Sequence, residues 1–157
     1  MTLGVGASEV VDDSGGLGGG GDIRWGFRVG VPSTAILFGG AMLFELETVA
    51  GYWRIPVSAE STLALRPDHV VELGRVTWGL RAGLTLVGVE PFVFVHAGPA
   101  FGSNGGGTTW DAGFALESRL SWATFGVHFA VDGLDVDSGD LWWFEVGPHV
   151  QFRLPLW

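Results

Sequence analysis

Hydrophobic and polar residues alternate with a period of two along most of this chain. Between Ile23 and Val31 every second residue is large and apolar, and the residues between them are arginine or glycine. The same rhythm recurs from Val76 to Leu86 and again after Trp110 and Trp142. Because successive side chains of a β-strand point to opposite faces, the pattern predicts strands with one apolar and one polar face.

Clusters of glycine, aspartate, asparagine and proline divide the chain into strand-like runs. Nine runs can be drawn, at 2–11, 22–32, 35–49, 52–66, 70–87, 89–101, 109–120, 122–131 and 141–156. An antiparallel barrel with both chain ends on one side needs an even number of strands, so one run is misjudged, and Ser33 to Ala50 is the least regular. We therefore predict an all-β fold of eight strands, with ten as the alternative, in a single domain spanning residues 1–157.

The predicted connections differ in length. Long polar segments lie at Asp12–Asp22, Arg66–Gly74, Gly102–Thr108 and Asp132–Asp140, whereas Val87-Gly88 and Ser121-Trp122 are typical of tight turns. The glycine-rich run Ser14–Gly21 is expected to be a mobile loop. A phosphate-binding loop would need a helix after it, and no helical pattern follows.

The composition is apolar for a water-soluble protein. Of 157 residues, 47% are hydrophobic and 16% are charged, whereas soluble domains have about 25% charged residues. The longest apolar run, 34–44, is too short for a membrane helix and ends at Glu45. If the chain crosses a bilayer, we expect it to do so as a closed antiparallel up-and-down β-barrel, which leaves no strand edge unpaired. Without cysteine, it uses no disulfide or thiol chemistry.

The charged residues separate by strand face. Ten of the acids and one arginine, Arg66, lie in or beside the long connections and give the chain its net charge of −9. This negative charge argues against a nucleic-acid partner. Seven arginines and seven acids are assigned to the polar face and are predicted to form a charge network inside the barrel: Arg24, Arg28, Arg54, Arg75, Arg81, Arg119 and Arg153 with Glu45, Glu47, Glu60, Glu90, Asp111, Glu117 and Glu145.

Alternation alone does not establish which face is buried. A soluble barrel that binds an apolar ligand would turn the apolar face inward, and this remains the first alternative. Three observations favour lipid outside: the polar face is rich in glycine, lysine is absent, and the bulky aromatic residues would overfill an eight-stranded interior. We also expect Trp53, Trp110, Trp122, Trp142 and Trp143, which fall near strand ends, to lie at the membrane interfaces.

In its architecture the chain resembles the small bacterial outer-membrane β-barrels of the eight-stranded type. The resemblance rests on the alternating segments, the uneven connections, the turn and strand at Gly88–Val93 and the aromatic terminus Arg153–Trp157. Trp157 departs from the family pattern, because Pro155, Arg153 and Gln151 precede it at the positions that are usually apolar. The resemblance implies a bacterial outer-membrane location, with the lipid bilayer and lipopolysaccharide as partners. Met1–Gly6 shows no secretory signal, and we expect that one has been removed.

Two groups of residues are candidates for chemistry. His96, His128 and His149 fall on the polar face beside glutamates, and we expect them to belong to the hydrogen-bonded filling of the interior rather than to an active site. The segment Asp132–Asp140 partly resembles a calcium loop, and Asp132, Asp135, Asp137 and Asp140 could hold a weakly bound divalent cation. No other cofactor is expected.

The sequence thus predicts a small outer-membrane barrel with a side-chain-filled interior and a structural or surface-recognition role rather than an open pore. It is not expected to be an enzyme. A lipid-modifying outer-membrane enzyme is the second alternative, after the soluble ligand-binding barrel.

Overall fold

The chain folds into eight antiparallel strands. A computed structural model describes residues 1–12, 17–32, 40–57, 69–86, 88–102, 105–136 and 139–154. The strands are β1 (Thr2–Asp12), β2 (Leu17–Pro32), β3 (Ala41–Val57), β4 (His69–Leu84), β5 (Val89–Gly102), β6 (Gly105–Arg119), β7 (Ala123–Val136) and β8 (Gly139–Arg153). The predicted count of eight is confirmed.

Each strand pairs with the next strand in the chain, and β1 pairs with β8 to close the barrel. At one end, here called the terminal rim, Thr2 of β1 is opposite Arg153 of β8. The opposite end, the distal rim, carries the connections β1–β2, β3–β4, β5–β6 and β7–β8. This is the closed antiparallel up-and-down barrel that the alternating pattern predicts.

Strand pairing reaches further than the sequence pattern indicates. Two of the nine predicted runs, 35–49 and 52–66, are wrong as separate strands, because β3 continues through Ala50 and Gly51 without interruption. Residues 17–21 belong to β2 and pair with β1, and residues 19–21 also pair with β3, so the prediction of a mobile loop is wrong for this part of the glycine-rich run. Ladder hydrogen bonds use backbone groups, which glycine supplies as well as any residue.

The same extension shortens three of the four connections that were predicted to be long. Strands β1 and β2 are separated by residues 13–16, β5 and β6 by 103–104, and β7 and β8 by 137–138. The polar residues flanking these positions, including those at Asp132–Asp135, therefore lie on strands. Only the β3–β4 connection, 58–68, is long on the distal rim.

The apolar face points outward. Leu80 is 61% exposed, whereas its neighbour Arg81 is 1% exposed. Across the eight strands the outer surface carries Leu3, Val5, Ile23, Trp25, Phe27, Val29, Met42, Phe44, Leu46, Trp78, Leu80, Val93, Val95, Phe114, Leu116, Phe125, Val127, Phe129 and Phe144. The soluble-barrel alternative requires the opposite arrangement. Among the residues that the structure describes, no helix has the length and apolar character needed to cross a membrane.

Glycine on the inner face makes room for charged and aromatic neighbours. A Cβ at Gly79 would overlap the backbone oxygen of Val95 and lie 2.7 Å from His96 Cα. A Cβ at Gly6 would lie 2.8 Å from Asp22 Oδ1. The glycines of the polar face are therefore part of what allows the interior to hold full-length charged side chains.

Candidate functional site: the charged interior of the barrel

The interior is filled by three groups of side chains in sequence along the barrel axis. The proximal cluster lies toward the terminal rim and contains Arg28, Arg81, Arg119, Arg153, Glu45, Glu90, Glu117, His149 and Gln151. The distal cluster follows, with Asp22, Arg24, Glu47, Arg75, His96, Asp111, His128, Asp132 and Glu145. The distal apolar cluster lies nearest the distal rim and contains Val10, Trp53, Ile55, Val71, Leu73, Ala100, Leu134, Leu141 and Trp143.

Arg28 connects four other strands within the proximal cluster. Its Nη2 donates to Glu45 Oε2 at 2.8 Å and to Gln151 Oε1 at 2.6 Å. Nη2 also lies 3.1 Å from Glu117 Oε2, and Nη1 donates to Glu90 Oε2 at 3.0 Å. One guanidinium group thus neutralises carboxylates on β3, β5 and β6, and such charge-assisted bonds are stronger than neutral ones.

Arg81 is the most deeply buried cation of the interior. Its side chain is 0% exposed and donates to Glu117, and its Nη1 donates to Glu45 Oε2 at 3.3 Å. The guanidinium carbon also lies 4.5 Å from the ring centroid of Phe92, within range of a cation–π contact. His149 Nε2 lies 3.0 Å from Glu117 Oε1, so this carboxylate has three cationic or polar partners.

In the distal cluster, Arg75 contacts three carboxylates. It donates to Asp132, and its Nη2 lies 3.2 Å from Glu145 Oε2 and 3.6 Å from Asp111 Oδ2. Its guanidinium carbon lies 4.0 Å from the ring centroid of Trp53, at the boundary with the distal apolar cluster. Arg24 holds Asp22 through two hydrogen bonds of 2.8 and 2.7 Å.

Two histidines contact carboxylates within the distal cluster. His96 Nδ1 lies 2.6 Å from Asp111 Oδ1, and its Nε2 lies 3.4 Å from Glu47 Oε2. His128 Nε2 lies 3.0 Å from Glu145 Oε1. Every one of these side chains is buried, so their partners replace the water that would otherwise solvate them.

Most of the predicted charge network lies inside the barrel. Arg24, Arg75, Arg81, Glu45, Glu47, Glu90, Asp111, Glu117 and Glu145 are buried inside the barrel, and the side chain of Arg28 is 8% exposed. Arg119 and Arg153 reach Glu90 from the terminal rim, at 3.6 and 3.0 Å. Glu60 lies outside the described residues.

Three predictions on β3 and β8 are wrong. Arg54 lies on the outer face, where its 63% exposed side chain contacts Glu72 at 3.6 Å. Trp53 and Trp143, predicted as interface aromatics, are fully buried in the interior. On β3 the cause is parity, because the predicted break near Gly51 concealed that Trp53 shares the inner face with Glu45 and Glu47.

Two buried acids were missed by sequence reasoning. Asp22 and Asp132 were assigned to loops, yet both lie inside the barrel beside Arg24 and Arg75. The available signal was parity, since Asp22 shares the phase of Arg24 and Asp132 shares the phase of His128. The balance of seven positive and seven negative groups is therefore wrong, and buried carboxylates outnumber arginines.

The predicted calcium group does not converge. Asp132 points into the interior, whereas Asp135 and Asp140 are exposed and opposite one another on β7 and β8. Asp137 lies outside the described residues. Since adjacent strand positions face opposite ways, a strand cannot present Asp132 and Asp135 to one ion as a loop can.

The comparisons with known proteins concern the fold. Neisserial surface protein A, NspA, has a TM-score of 0.60 and 10% sequence identity, covering 98% of this chain and 95% of that chain. A de novo designed transmembrane β-barrel gives 0.47 at 14% identity, covering 98% and 95%. Ail, the attachment invasion locus protein of Yersinia pestis, gives 0.44 at 12% identity, covering 96% and 95%.

No protein-family model and no curated protein matches the sequence. The likeness to NspA establishes a shared architecture, that of a closed eight-stranded antiparallel barrel.

Proposed function

We propose that this protein spans a bacterial outer membrane and has a structural or surface-recognition role. The observation that carries the proposal is the inversion of the usual soluble arrangement: large apolar side chains cover the outside, and carboxylates and guanidinium groups fill the inside. An exposed apolar surface of this extent marks contact with another apolar phase. NspA is by name a surface protein, and we extend that placement to this chain.

The energetics support lipid as the surrounding phase. An arginine facing the centre of a bilayer costs about 2–4 kcal/mol. Here Arg24, Arg75 and Arg81 are buried in the interior, and the exposed Arg54 lies on β3 opposite Glu72, beyond the main apolar band. Aromatic residues flank that band: Trp110 and Trp142 lie toward the distal rim, and Trp122 stacks on Phe152 at the terminal rim. We propose these three as interface residues.

A detergent requirement tests this placement. We expect the folded protein to need detergent or lipid to stay monodisperse. On a denaturing detergent gel the unheated sample should migrate faster than the boiled sample, because a closed barrel stays folded in the detergent until it is heated. A sample unfolded in urea before loading is the control and should migrate like the boiled protein. A chain that remains folded and monodisperse in plain buffer would contradict the membrane proposal.

We further propose that the interior conducts no solute. A water-filled pore exposes the side chains that line it, whereas Trp53, Trp143, Asp132 and Glu117 are each 0% exposed. Together, the proximal, distal and distal apolar clusters fill the interior that the eight strands enclose. A cavity of about 450 Å³ opens at the terminal rim and ends at Arg28 and Glu90.

Electrical recording checks the closed interior. In a planar bilayer we expect no discrete conductance steps from the reconstituted protein, whereas a porin added to the same membrane should give them. Stable steps from this chain, proportional to the amount added, would show that the interior opens.

The distal rim is the candidate surface for recognition. Glu9, Glu72, Asp135 and Asp140 are exposed there against one exposed arginine, Arg54, so the described part of the rim is acidic. We propose lipid as the principal partner, with lipopolysaccharide phosphates bridged to these carboxylates by divalent cations. We propose no catalytic role, because His96, His128 and His149 are each buried against a carboxylate of the interior.

A further inference from the structure

The two charged clusters of the interior differ in their ratio of arginines to carboxylates. The proximal cluster has four arginines and three glutamates. The distal cluster has five carboxylates, on Asp22, Glu47, Asp111, Asp132 and Glu145, but two arginines, Arg24 and Arg75. Counting Arg81, which reaches Glu47 from the proximal cluster at 3.7 Å, five carboxylates face three guanidinium groups. A buried charge without a partner is costly, so the distal cluster favours an additional cation.

Three side chains of the distal cluster lie close enough together to bind one cation. Asp22, His128 and Glu145 are buried, and each offers a ligand atom within 4.8 Å of the other two. They come from β2, β7 and β8 and meet across β1, where Gly6 leaves room for the Asp22 carboxylate. His128 Nε2 and Glu145 Oε1 are 3.0 Å apart, close to the separation of roughly 3.3 Å between neighbouring ligands on tetrahedral zinc.

We propose that Asp22, His128 and Glu145 form a binding site for one divalent transition-metal ion inside the barrel. An imidazole nitrogen with two carboxylate oxygens suits zinc and its neighbours rather than calcium or magnesium, which prefer oxygen alone. Asp22 keeps free lone pairs despite its two bonds from Arg24, because an ionised carboxylate has about four acceptor positions.

The surroundings of the site provide its outer support. Asp132 and Glu145 both accept hydrogen bonds from Arg75. The second oxygen of Asp132, Oδ2, is buried without a hydrogen bond to any described residue. That oxygen is available to a metal-bound water. The competing occupant is the proton, since protonated carboxyl groups would also relieve the excess of negative charge.

Metal analysis of the untagged full-length protein distinguishes a bound metal ion from protonated carboxyl groups. The barrel is refolded in detergent with Zn²⁺, passed through a desalting column and assayed for metal by mass spectrometry, and a parallel sample is refolded with Co²⁺ for absorption spectra. We expect one zinc per chain, and cobalt bands in the visible region that zinc abolishes. His128→Gln should lose at least nine-tenths of the bound metal.

His149→Gln is the matched control, because His149 contacts Glu117 at the same 3.0 Å but belongs to the arginine-rich proximal cluster. It should keep its metal. Asp22→Asn gives a second test of the site should His128→Gln fail to fold, which the unheated gel reports. Wild-type protein without stoichiometric metal and without cobalt bands, or equal loss in His149→Gln, would overturn the proposal. The three ligands are buried inside the barrel and the assay needs the folded chain alone, so this result does not depend on the membrane placement.

Discussion

Replacing Arg81 by glutamine is expected to lower the free energy of unfolding by about 3–5 kcal/mol. The Arg81 side chain is fully buried and contacts Glu45, Glu47 and Glu117. Without the guanidinium, these carboxylates stay inside the barrel with too little positive charge, and no water reaches them. Urea unfolding from lipid vesicles, followed by tryptophan fluorescence, measures the change.

Arg54→Gln is the matched control. Arg54 also contacts a glutamate, Glu72, but both side chains are more than half exposed. Water solvates the separated charges of such a pair, so we expect a change of about 0–1 kcal/mol. Equal effects of the two substitutions would mean that the interior charges are solvated and that the barrel is not packed as described.

Placing an arginine at Leu80 is expected to lower the free energy of unfolding by about 2–4 kcal/mol in lipid. Leu80 lies on the outer face of β4, near the middle of the apolar band, and is 61% exposed. In lipid the new guanidinium group has no hydrogen-bond partner at that depth unless the bilayer deforms around it. The same vesicle unfolding assay measures the loss.

Leu17→Arg provides the comparison, because Leu17 is 75% exposed but lies at the distal end of β2. At that level the arginine reaches the polar headgroups, and the expected loss is about 0–1 kcal/mol. If Leu80→Arg proves as harmless as Leu17→Arg, the outer face of β4 is bathed in water rather than hydrocarbon.

The alternation of residues sufficed to predict the strands, their antiparallel closure and the direction of most side chains. Arg24, Arg28, Arg75 and Arg81 were assigned to the face on which they lie, because a period of two fixes the face of every residue once one is known. The error at Ala50-Gly51 shows the weakness of the same rule. A false break resets the phase, and Trp53 and Arg54 exchange faces.

Two members of the distal cluster, Asp22 and Asp132, were not assigned to it from local sequence, although they share the strand phase of Arg24 and His128. Asp22 follows four glycines, and Asp132 precedes Gly133, so both resemble loop residues. Whether such a segment continues a ladder depends on the strands beside it, as with the pairing of residues 19–22 to β1 and β3. The same applies to Asp22, His128 and Glu145, which come together only through the order of β7, β8, β1 and β2 around the ring.

The bonds of Arg28 bear on how the molecule is assembled. This residue lies on β2, yet its partners Glu45, Glu90, Glu117 and Gln151 lie on β3, β5, β6 and β8. A half-built sheet of consecutive strands would hold a fraction of these partners and would present unmatched ions to hydrocarbon. Insertion into the bilayer and the joining of β1 to β8 are thereby coupled, and species lacking the last strand are disfavoured by electrostatics as well as by open edges.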